Sequence, residues 1–383
     1  MGKGELIMNV LITGGAGFIG TNLARRLIRE KCNVTIFDNF NPQIHGANRG
    51  VPKDLQDRVR LVVGSVVDKE AFCSVLNGQE VVVHLAAETG TGQSMYEVER
   101  YEDVNIKGTA ILIDYIVNNK VSCINKIVVA SSRAIYGEGK YLCLEHGIVY
   151  PERRTFENMK RSLFEALCPI CGSECSMLPT DECSPFKPSS FYGLTKQMQE
   201  QTVSLFAKAL GISSFALRYQ NVYGPGQSLN NPYTGILAIF SNQAKNNKPI
   251  YIFEDGNESR DFVYIDDVIE ATWRCISPKV RGVEALNVGS GIGTTVSEVV
   301  NNITEYFNSS SSISITGAFR EGDIRHNVAD LSKAKNIINF KPKWNFRDGI
   351  YEFLNWADSQ NIMGDSQYEE SLSEMRVRGL MHG

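Results

Sequence analysis

Short apolar runs alternate with amphipathic stretches along the first third of the chain. The runs NVLIT, NVTIFD, VRLVVG, VVVHLAA and KIVVASS are rich in β-branched residues. Between the first two, Ile19, Leu23 and Leu27 recur at a spacing typical of one helix face. Strands that are apolar along their whole length are typical of parallel sheets covered by helices on both faces. The pattern therefore predicts an α/β fold with a doubly wound parallel sheet.

Composition narrows the class of protein. With 383 residues and 43% hydrophobic content, the chain can bury one large core or two coupled ones. A net charge of −4 gives no broad basic field, so we expect neither nucleic acid nor a membrane surface as a partner. Met1 to Met8 is too short and polar for a secretory signal, and no apolar run is long enough to span a bilayer. We expect a cytoplasmic protein whose nine cysteines are free thiols, metal ligands or catalytic groups.

A glycine loop follows the first predicted strand. TGGAGFIG supplies Gly14, Gly17 and Gly20 at the start of the first helix, where the backbone can approach a pyrophosphate closely. Asp38 ends the second strand, where its carboxylate would accept hydrogen bonds from a ribose diol, and no arginine follows to favour a 2′-phosphate. We interpret this as a Rossmann site that prefers NAD over NADP. The alternative is a glycine turn of another α/β protein with an incidental aspartate.

A second candidate site lies further along the chain. Tyr192 and Lys196 are four residues apart, so both project from one face of a helix. An adjacent ammonium stabilises a phenolate and brings a tyrosine toward the range of a useful base. Ser131 and Ser132 end an apolar strand, at the sheet edge where ligands bind in such folds. Taken alone, the Tyr/Lys pair is also consistent with a solvated helix face.

The glycine loop, Asp38, the strand-end serine and the Tyr/Lys pair together resemble the extended short-chain dehydrogenase/reductase family, specifically its NAD-dependent nucleotide-sugar epimerases and dehydratases. The resemblance runs from about Met8 to Trp356 and includes HLAA, VNIKGT, LRYQNVYGPGQ, ESRDFVYIDDV, LNVGSG and REGDIRHNVAD. It implies that Tyr192 is the catalytic base, that Lys196 also binds the nicotinamide ribose, and that Ser132 bonds the reacting sugar oxygen. It also implies a homodimer formed through a helix bundle that contains the Tyr192 helix.

The same resemblance implies two sets of binding residues. For NAD they are Gly14, Gly17, Phe18, Ile19, Asp38, Asn39, Ser65, Val66, Leu85, Ala86, Ala87, Asn105, Tyr192 and Lys196. For a nucleotide-diphosphate sugar they are Thr89, Ser132, Arg133, Asn221, Arg260, Arg320 and Asp323. Guanidinium groups suit phosphate oxygens, although each arginine taken singly is also consistent with a surface ion pair. Ser65 departs from the family pattern, which usually has an aspartate there in contact with adenine.

The resemblance also bears on the reaction. Related dehydratases carry an Asp-Glu pair where this chain has Arg133 and Ala134, so an elimination has no evident proton shuttle. We therefore expect a 4-epimerase that oxidises C4 transiently to a 4-keto sugar and reduces it again on the opposite face. The segments SSRAIYGEGKY and NPQIHG are similar to those of a bacterial subgroup that converts dTDP-L-rhamnose to dTDP-6-deoxy-L-talose for surface polysaccharides. Alternatives are a UDP-hexose substrate, a 4-keto nucleotide-sugar reductase, a 4,6-dehydratase, and a non-catalytic NAD-sensing protein.

The chain between Ser132 and Tyr192 is longer than this family generally has there. It contains Cys143-x-x-His146 and Cys168-x-x-Cys171, the pattern of a Cys₃His structural zinc site. A poorly apolar insertion benefits from a metal because zinc binding contributes folding free energy. A redox pair and metal-free thiols are the alternatives, and Cys175 and Cys183 are substitute ligands in case His146 is not one.

The domain organisation follows from these assignments. We expect an NAD-binding Rossmann domain over residues 8–217, with a Cys-rich insertion at about 140–187. A smaller mixed α/β nucleotide-sugar lobe is expected over 218–358, with the chain crossing between the two lobes. The polar tail at 359–383 is expected to be a mobile end or a strap.

Overall fold

The computed structural model describes residues 7–229, 235–360 and 366–383. In its first third, strands and helices alternate as the hydrophobic pattern predicts. In chain order these elements are β1 (Asn9–Thr13), α1 (Phe18–Arg29), β2 (Asn33–Asp38), α2 (Pro42–His45), β3 (Arg60–Val63), α3 (Lys69–Leu76), β4 (Val81–His84), α4 (Val98–Tyr101), α5 (Gly108–Asn118) and β5 (Lys126–Ser132).

The segment after β5 leaves the main sheet and forms a small unit of its own. Its elements are β6 (Tyr141–Cys143), β7 (Gly147–Val149), α6 (Phe156–Lys160) and β8 (Ser176–Met177). The three strands pair antiparallel in the order β7-β6-β8. Below, "the insertion" means residues 140–187.

The remaining elements return to the main sheet and build the second lobe. They are α7 (Phe191–Leu210), β9 (Ser213–Tyr219), β10 (Asn221–Tyr223), α8 (Ile236–Lys245), β11 (Ile250–Ile252), β12 (Ser259–Tyr264), α9 (Ile265–Ile276), β13 (Val283–Val288), β14 (Gly293–Thr295), α10 (Val296–Phe307), β15 (Ile313–Ile315), β16 (Phe319–Arg320), β17 (His326–Asn327), α11 (Ser332–Ile338), α12 (Phe346–Asp358), α13 (Ser366–Val377) and β18 (Met381–His382).

Seven parallel strands form the central sheet in the order β13-β9-β5-β4-β1-β2-β3. Val10 and Ile12 of β1 belong to one apolar cluster, whereas Leu11 between them belongs to another. Alternate residues of a strand face opposite sides of a sheet, so both sheet faces are covered. The predicted doubly wound α/β fold is confirmed. Strand order reverses between β1 and β4, which is where ligands bind in such sheets.

Short strands and helices lie beside the carboxyl end of this sheet, and we call this part the second lobe. β10, β12, β14 and β17 form its main sheet, and β11 pairs with β15. The last strand, β18, pairs antiparallel with β16, so the end of the chain is attached to this lobe. None of the helices described is long and apolar enough to cross a lipid bilayer.

Candidate active site

The glycine loop lies between β1 and α1, at the point where the strand order reverses. Gly14 has a φ of +65°, and a Cβ built on it would lie 2.8 Å from the backbone nitrogen of Ala86. Only glycine fits this close approach. The following helix α1 has no side-chain cap and no acidic residue in its first turn. Its first N–H groups are therefore available to an anion such as a pyrophosphate.

Asp38 lies at the end of β2, beside this loop. Its Oδ2 accepts a hydrogen bond from the backbone N–H of Ala16 at 3.0 Å, and its Oδ1 accepts one from Phe40 N–H at 2.9 Å. The Nε2 of His45 lies 3.4 Å from the same Oδ1. These contacts fix the carboxylate at the cavity wall, where it can accept hydrogen bonds from a ribose diol.

A cavity of about 440 Å³ runs from the glycine loop to α7. It brings together thirteen of the fourteen residues predicted to bind NAD, along with two predicted to bind the sugar. These fifteen are Gly14, Gly17, Phe18, Ile19, Asp38, Asn39, Ser65, Val66, Leu85, Ala86, Ala87, Thr89, Ser132, Tyr192 and Lys196. A glycine cradle, an uncapped helix and a fixed carboxylate along one cavity are the features that a dinucleotide needs, so the residues present fit NAD.

Asn105 is the predicted NAD residue that does not line this cavity. It is fully buried, with its Oδ1 accepting from Glu88 N–H at 2.8 Å. Its Nδ2 donates to the Glu88 carbonyl at 3.1 Å and to Thr195 Oγ1 at 2.9 Å. Asn105 therefore ties the loop after β4 to α7 behind the cavity wall, where it positions the lining residues.

The predicted catalytic residues meet at the far end of the cavity. The Ser190 hydroxyl caps α7 by accepting from Gly193 N–H at 3.1 Å, which fixes where the helix begins. Lys196 is almost fully buried, and its Nζ donates to the Ala130 carbonyl at 3.0 Å. Burial lowers the pKa of Lys196 to about 7. The same Nζ lies 5.9 Å from the centre of the Tyr192 ring.

The Ser132 side chain affects the pKa of the Tyr192 phenol. Burial raises the pKa of Tyr192, while a hydrogen bond with the Ser132 side chain and the nearby charge of Arg133 oppose that rise. The neighbouring serine has another role, since Ser131 Oγ donates to Glu200 at 2.6 Å within the core. Of the two strand-end hydroxyls, only Ser132 therefore acts on the Tyr192 phenol.

A second cavity of about 350 Å³ lies against the second lobe. It brings together the remaining predicted sugar-binding residues, which are Arg133, Asn221, Arg260, Arg320 and Asp323. Between the two cavities is a smaller space of about 210 Å³ that Ser132, Arg133 and Asn221 line together. Arg133 Nε donates to Asn221 Oδ1 at 2.8 Å. Burial, together with the charge of Arg260, lowers the pKa of Arg133 to about 10.

The arginines of the second cavity differ in how they are held. Arg260 donates to the backbone carbonyls of Ser259, Arg325 and Ile324 at 2.8–3.0 Å, so its position is fixed by the protein. Arg320 lies over the ring of Phe253, 5.0 Å from its centre. Its Nε has no hydrogen-bond partner among the described residues. Such a donor is suited to a ligand anion.

The lining residues that were not predicted from the sequence include Gln220, His45 and Arg153. Gln220 lines both the first cavity and the connecting space, His45 lines the first, and Arg153 of the insertion lines the second. Gln220 stands inside the LRYQNVYGPGQ motif and His45 inside NPQIHG, so proximity to a motif was the available signal. Arg153 lies outside the recognised motifs, so no feature of the sequence indicated that it lines the cavity.

The four predicted zinc ligands come together in the insertion. The ligand atoms of Cys143, His146, Cys168 and Cys171 all lie within 4.8 Å of one another, whereas Cys175 is not part of this group. The two sulfurs of Cys143 and Cys171 are 3.7 Å apart, and Nδ1 of His146 is 3.6 Å from the Cys143 sulfur. Tetrahedral zinc with Zn–S bonds of about 2.3 Å places its thiolates about 3.8 Å apart. The cluster therefore fits a zinc ion.

Ion pairs with buried arginines connect the insertion to the second cavity. Arg154 donates to both carboxylate oxygens of Glu254, at 2.7 and 2.8 Å, and to the Asp323 carbonyl at 2.9 Å. Glu165 accepts from the fully buried Arg325 at 2.6 Å. The insertion thus holds the segment that carries two of the predicted sugar-binding residues.

Comparison with known proteins agrees with this geometry. The model of the "NAD dependent epimerase/dehydratase family" matches residues 10–289. The dTDP-L-rhamnose 4-epimerase of Burkholderia thailandensis is 39% identical over 351 residues, which cover 91% of this chain and 94% of that protein.

Solved structures show the same fold with ligands bound. UDP-glucose 4-epimerase from Thermotoga maritima with UDP-glucose is 28% identical, with a TM-score of 0.73, and the match covers 91% of this chain and 98% of that one. MoeE5 in complex with UDP-glucuronic acid and NAD is 26% identical, with a TM-score of 0.72, and the match covers 91% of this chain and 99% of that one.

Proposed function

The chain belongs to the NAD-dependent epimerase/dehydratase family, and on that premise we propose that it is a nucleotide-sugar 4-epimerase that interconverts dTDP-L-rhamnose and dTDP-6-deoxy-L-talose. The family membership and the NAD-dependent epimerase activity that the sequence predicts are confirmed by the named relatives. NAD as the cofactor is supported by the structural neighbour that contains it. The sugar is the part that remains a proposal.

One observation carries the proposed chemistry: Ser132, Tyr192 and Lys196 line the end of the first cavity that adjoins the arginine-lined second cavity. Bound NAD supplies the acceptor and donor of the hydride for oxidation and re-reduction at C4. Tyr192 takes the proton from the sugar hydroxyl and later returns it, while Ser132 holds the same oxygen. The Lys196 ammonium favours the phenolate of Tyr192 during this transfer.

The second cavity supplies the anchor that epimerisation requires. Arg260 and Arg320 bind the diphosphate, and Asp323 accepts from the nucleoside ribose. Holding the substrate by its nucleotide end leaves the hexose free to turn, so that both faces of C4 reach the same catalytic group. Arg133, bonded to Asn221, occupies the position where dehydratases of this family carry a carboxylate. This arrangement favours epimerisation over elimination.

The similarity to the dTDP-L-rhamnose enzyme favours that substrate over the alternatives. A UDP-hexose is the second candidate, favoured by the structural match to an epimerase that holds UDP-glucose. The test is a panel of dTDP- and UDP-sugars incubated with the protein without added NAD and followed by NMR. Interconversion of dTDP-L-rhamnose and its 4-epimer is expected. Turnover of UDP-glucose alone would replace the substrate assignment, and no turnover despite tightly bound NAD would favour the NAD-sensing alternative.

We also propose that the cysteine cluster binds structural zinc. Support comes from the Cys₃His ligand set, from spacings that match a tetrahedral ion, and from the small core of the insertion. That core contains six buried residues, three of which are cysteines, and this is too few to offset the entropy of ordering an insertion of this length. Zinc binding supplies the missing folding free energy.

A homodimer in the cytoplasm is the proposed assembly and location. The outer face of α7 leaves Leu194, Met198 and Leu205 exposed, and Val117 is exposed on the adjacent α5. Apolar residues grouped on neighbouring helices favour a helix-to-helix interface. A cytoplasmic dimer of this kind would serve the biosynthesis of a surface polysaccharide.

A further inference from the structure

The last residues of the chain form part of the second cavity. We call residues 366–383, with α13 and β18, the carboxyl-terminal strap. Met375 is buried, and both it and Leu380 line the second cavity. They pack in an apolar cluster with Ala318, Met381 and Phe253 of the second lobe. The strap is therefore a wall of the sugar-nucleotide site, not a loose tail.

One end of the strap is fixed to the strand that carries Arg320. In the antiparallel pair of β18 with β16, Met381 is opposite Arg320, and Glu321 N–H donates to the Leu380 carbonyl at 3.0 Å. The ring of His382 packs 5.3 Å from that of Phe319. This half of the strap lies beside the phosphate-binding residues.

The other end of the strap reaches the first lobe. A Cβ built on Gly92 would lie 3.7 Å from the Met375 methyl carbon, and the Arg378 guanidinium lies 4.2 Å from the centre of the Tyr96 ring. The loop that carries these contacts is fixed to the catalytic helix, since Tyr192 N–H donates to Ser94 Oγ at 3.0 Å. Met375 therefore lines the second cavity where the strap meets this loop of the first lobe.

The side chains that the strap and this loop contribute to the cavity wall are apolar at Met375 and Met95. Two thioether side chains therefore border the part of the cavity beside the loop. Methionine offers no strong hydrogen bond, so a hydroxymethyl or carboxylate group placed against it loses its water partners without replacement. A methyl group loses nothing there. Methionine is also flexible, which suits a ring that must occupy two orientations in turn.

We propose that the carboxyl-terminal strap completes the sugar subsite, and that Met375 together with Met95 selects hexoses with a methyl group in place of the 6-hydroxymethyl group. This inference rests on the proposed 4-epimerase function and names the feature of the substrate that the site recognises. A hydrophobic subsite distinguishes such substrates by about tenfold to a hundredfold.

The test compares kcat/KM for dTDP-L-rhamnose with kcat/KM for dTDP-L-mannose, which differs from it only by a hydroxyl group at C6, in the full-length holoenzyme. Met375→Gln places a hydrogen-bonding amide in the wall and is expected to lower the ratio of the two values about tenfold. The matched control is Val377→Gln, because Val377 lies on the same helix but is 86% exposed. Its ratio is expected to match the wild type. Bound NAD and the melting temperature establish that each variant is folded.

A second measurement does not depend on the variant. Hydrogen–deuterium exchange of α13 and β18 is expected to slow when dTDP-L-rhamnose is added to the wild-type holoenzyme, and to slow less with dTDP alone. An unchanged ratio in folded Met375→Gln, or equal exchange with both ligands, overturns the inference while leaving the epimerase assignment intact. A wild type that turns over no 6-deoxy sugar nucleotide overturns the proposed substrate itself.

Discussion

The Nζ of Lys196 lies 5.9 Å from the centre of the Tyr192 ring, one helical turn along α7, and donates to the Ala130 carbonyl of β5. The ammonium is therefore held between the sheet and the phenol. Burial lowers the pKa of Lys196 to about 7 and raises that of Tyr192. Because burial disfavours both charged forms, the charge on each group depends on what else occupies the cavity.

Tyr192→Phe tests the proton-transfer role directly. The variant removes the hydroxyl but keeps the ring that packs edge-on against Tyr101, so the fold and NAD binding are expected to persist. Loss of a general base lowers kcat about 10² to 10⁴-fold. Epimerisation followed by NMR measures the loss, and Tyr306→Phe on α10 serves as the control. Wild-type kcat in Tyr192→Phe would exclude this residue as the base.

Lys196→Met tests the cost of burying the ammonium. In the unfolded chain Lys196 has its ordinary pKa of 10.5, and in the fold burial lowers it to about 7. Between these values the unfolded state binds more protons, so this group makes wild-type stability rise with pH across that window. The Lys196→Met variant lacks this group, so its stability does not show this contribution to the rise with pH. In protein stripped of cofactor, its stability advantage over the wild type is therefore expected to shrink from about pH 7 to about pH 10.

Urea denaturation of both proteins across that window measures the difference in the free energy of unfolding. Lys208→Met is the matched control, because it removes an exposed lysine near the end of the same helix. A Lys196→Met difference that is constant with pH would mean that the ammonium is solvated in the folded state.

The sequence predicted the sheet and the first cavity well because both depend on local patterns. Apolar runs identify strands, and the carboxyl ends of parallel strands meet at one edge, which places the glycine loop, Asp38 and Ser132 together. The four-residue spacing of Tyr192 and Lys196 is likewise a property of any helix. The cysteine cluster could be predicted because the Cys-x-x-His and Cys-x-x-Cys spacings each place two ligands in one short turn. The fold has only to bring these two turns together.

What the sequence did not predict depends on contacts between distant segments. Arg153 reaches the second cavity because its guanidinium pairs with Glu321, which is 168 residues away. The tail was expected to be either mobile or a strap, and only the pairing of β18 with β16 shows which side chains it presents. Asn105 belongs to a recognised motif, yet its side chain forms hydrogen bonds with Glu88 and Thr195 instead of lining the cavity.

Asp38 is expected to set the choice of cofactor. Asp38→Asn keeps one oxygen that can accept from the N–H group of Ala16 or of Phe40, places an NH2 donor where the second oxygen was, and removes the charge that repels a 2′-phosphate. Hydrogen bonds to a charged group contribute about 1.5–3 kcal/mol, so NAD affinity is expected to fall about tenfold to a hundredfold. The affinity for NADP is expected to rise relative to the affinity for NAD. Calorimetric titration of stripped protein with each cofactor measures both, and an unchanged NAD/NADP ratio would contradict the role.

The zinc proposal predicts one equivalent of metal per chain in protein purified without chelator. Cys171→Ser removes a ligand and is expected to lose most of the metal and to melt at a lower temperature, because zinc binding contributes folding free energy. Cys183→Ser is the matched control, since Cys183 is exposed and lies outside the cluster. Less than half an equivalent of zinc in the wild type would contradict the proposal.

Arg154 is expected to be the most sensitive link between the insertion and the sugar site. Its side chain is 3% exposed and pairs with Glu254 at 2.7 Å and Glu138 at 3.3 Å. Arg154→Met removes the bidentate partner of Glu254 and the ion-pair partner of Glu138, which leaves each buried carboxylate with a single contact to Arg325 and costs about 3 kcal/mol of stability. Arg153→Met is the control: the Arg153–Glu321 pair is largely exposed and such pairs contribute about 1 kcal/mol or less.

Adding Glu254→Leu to Arg154→Met is expected to recover part of the lost stability, because it removes the buried carboxylate that has lost its bidentate partner. Chemical denaturation of the single and double variants measures this coupling. Arg154 also donates to the Asp323 carbonyl, so KM for the sugar nucleotide is expected to rise in Arg154→Met while NAD affinity stays at the wild-type value. Equal stability losses in Arg153→Met and Arg154→Met would mean that the buried pair does not hold the insertion against the second lobe.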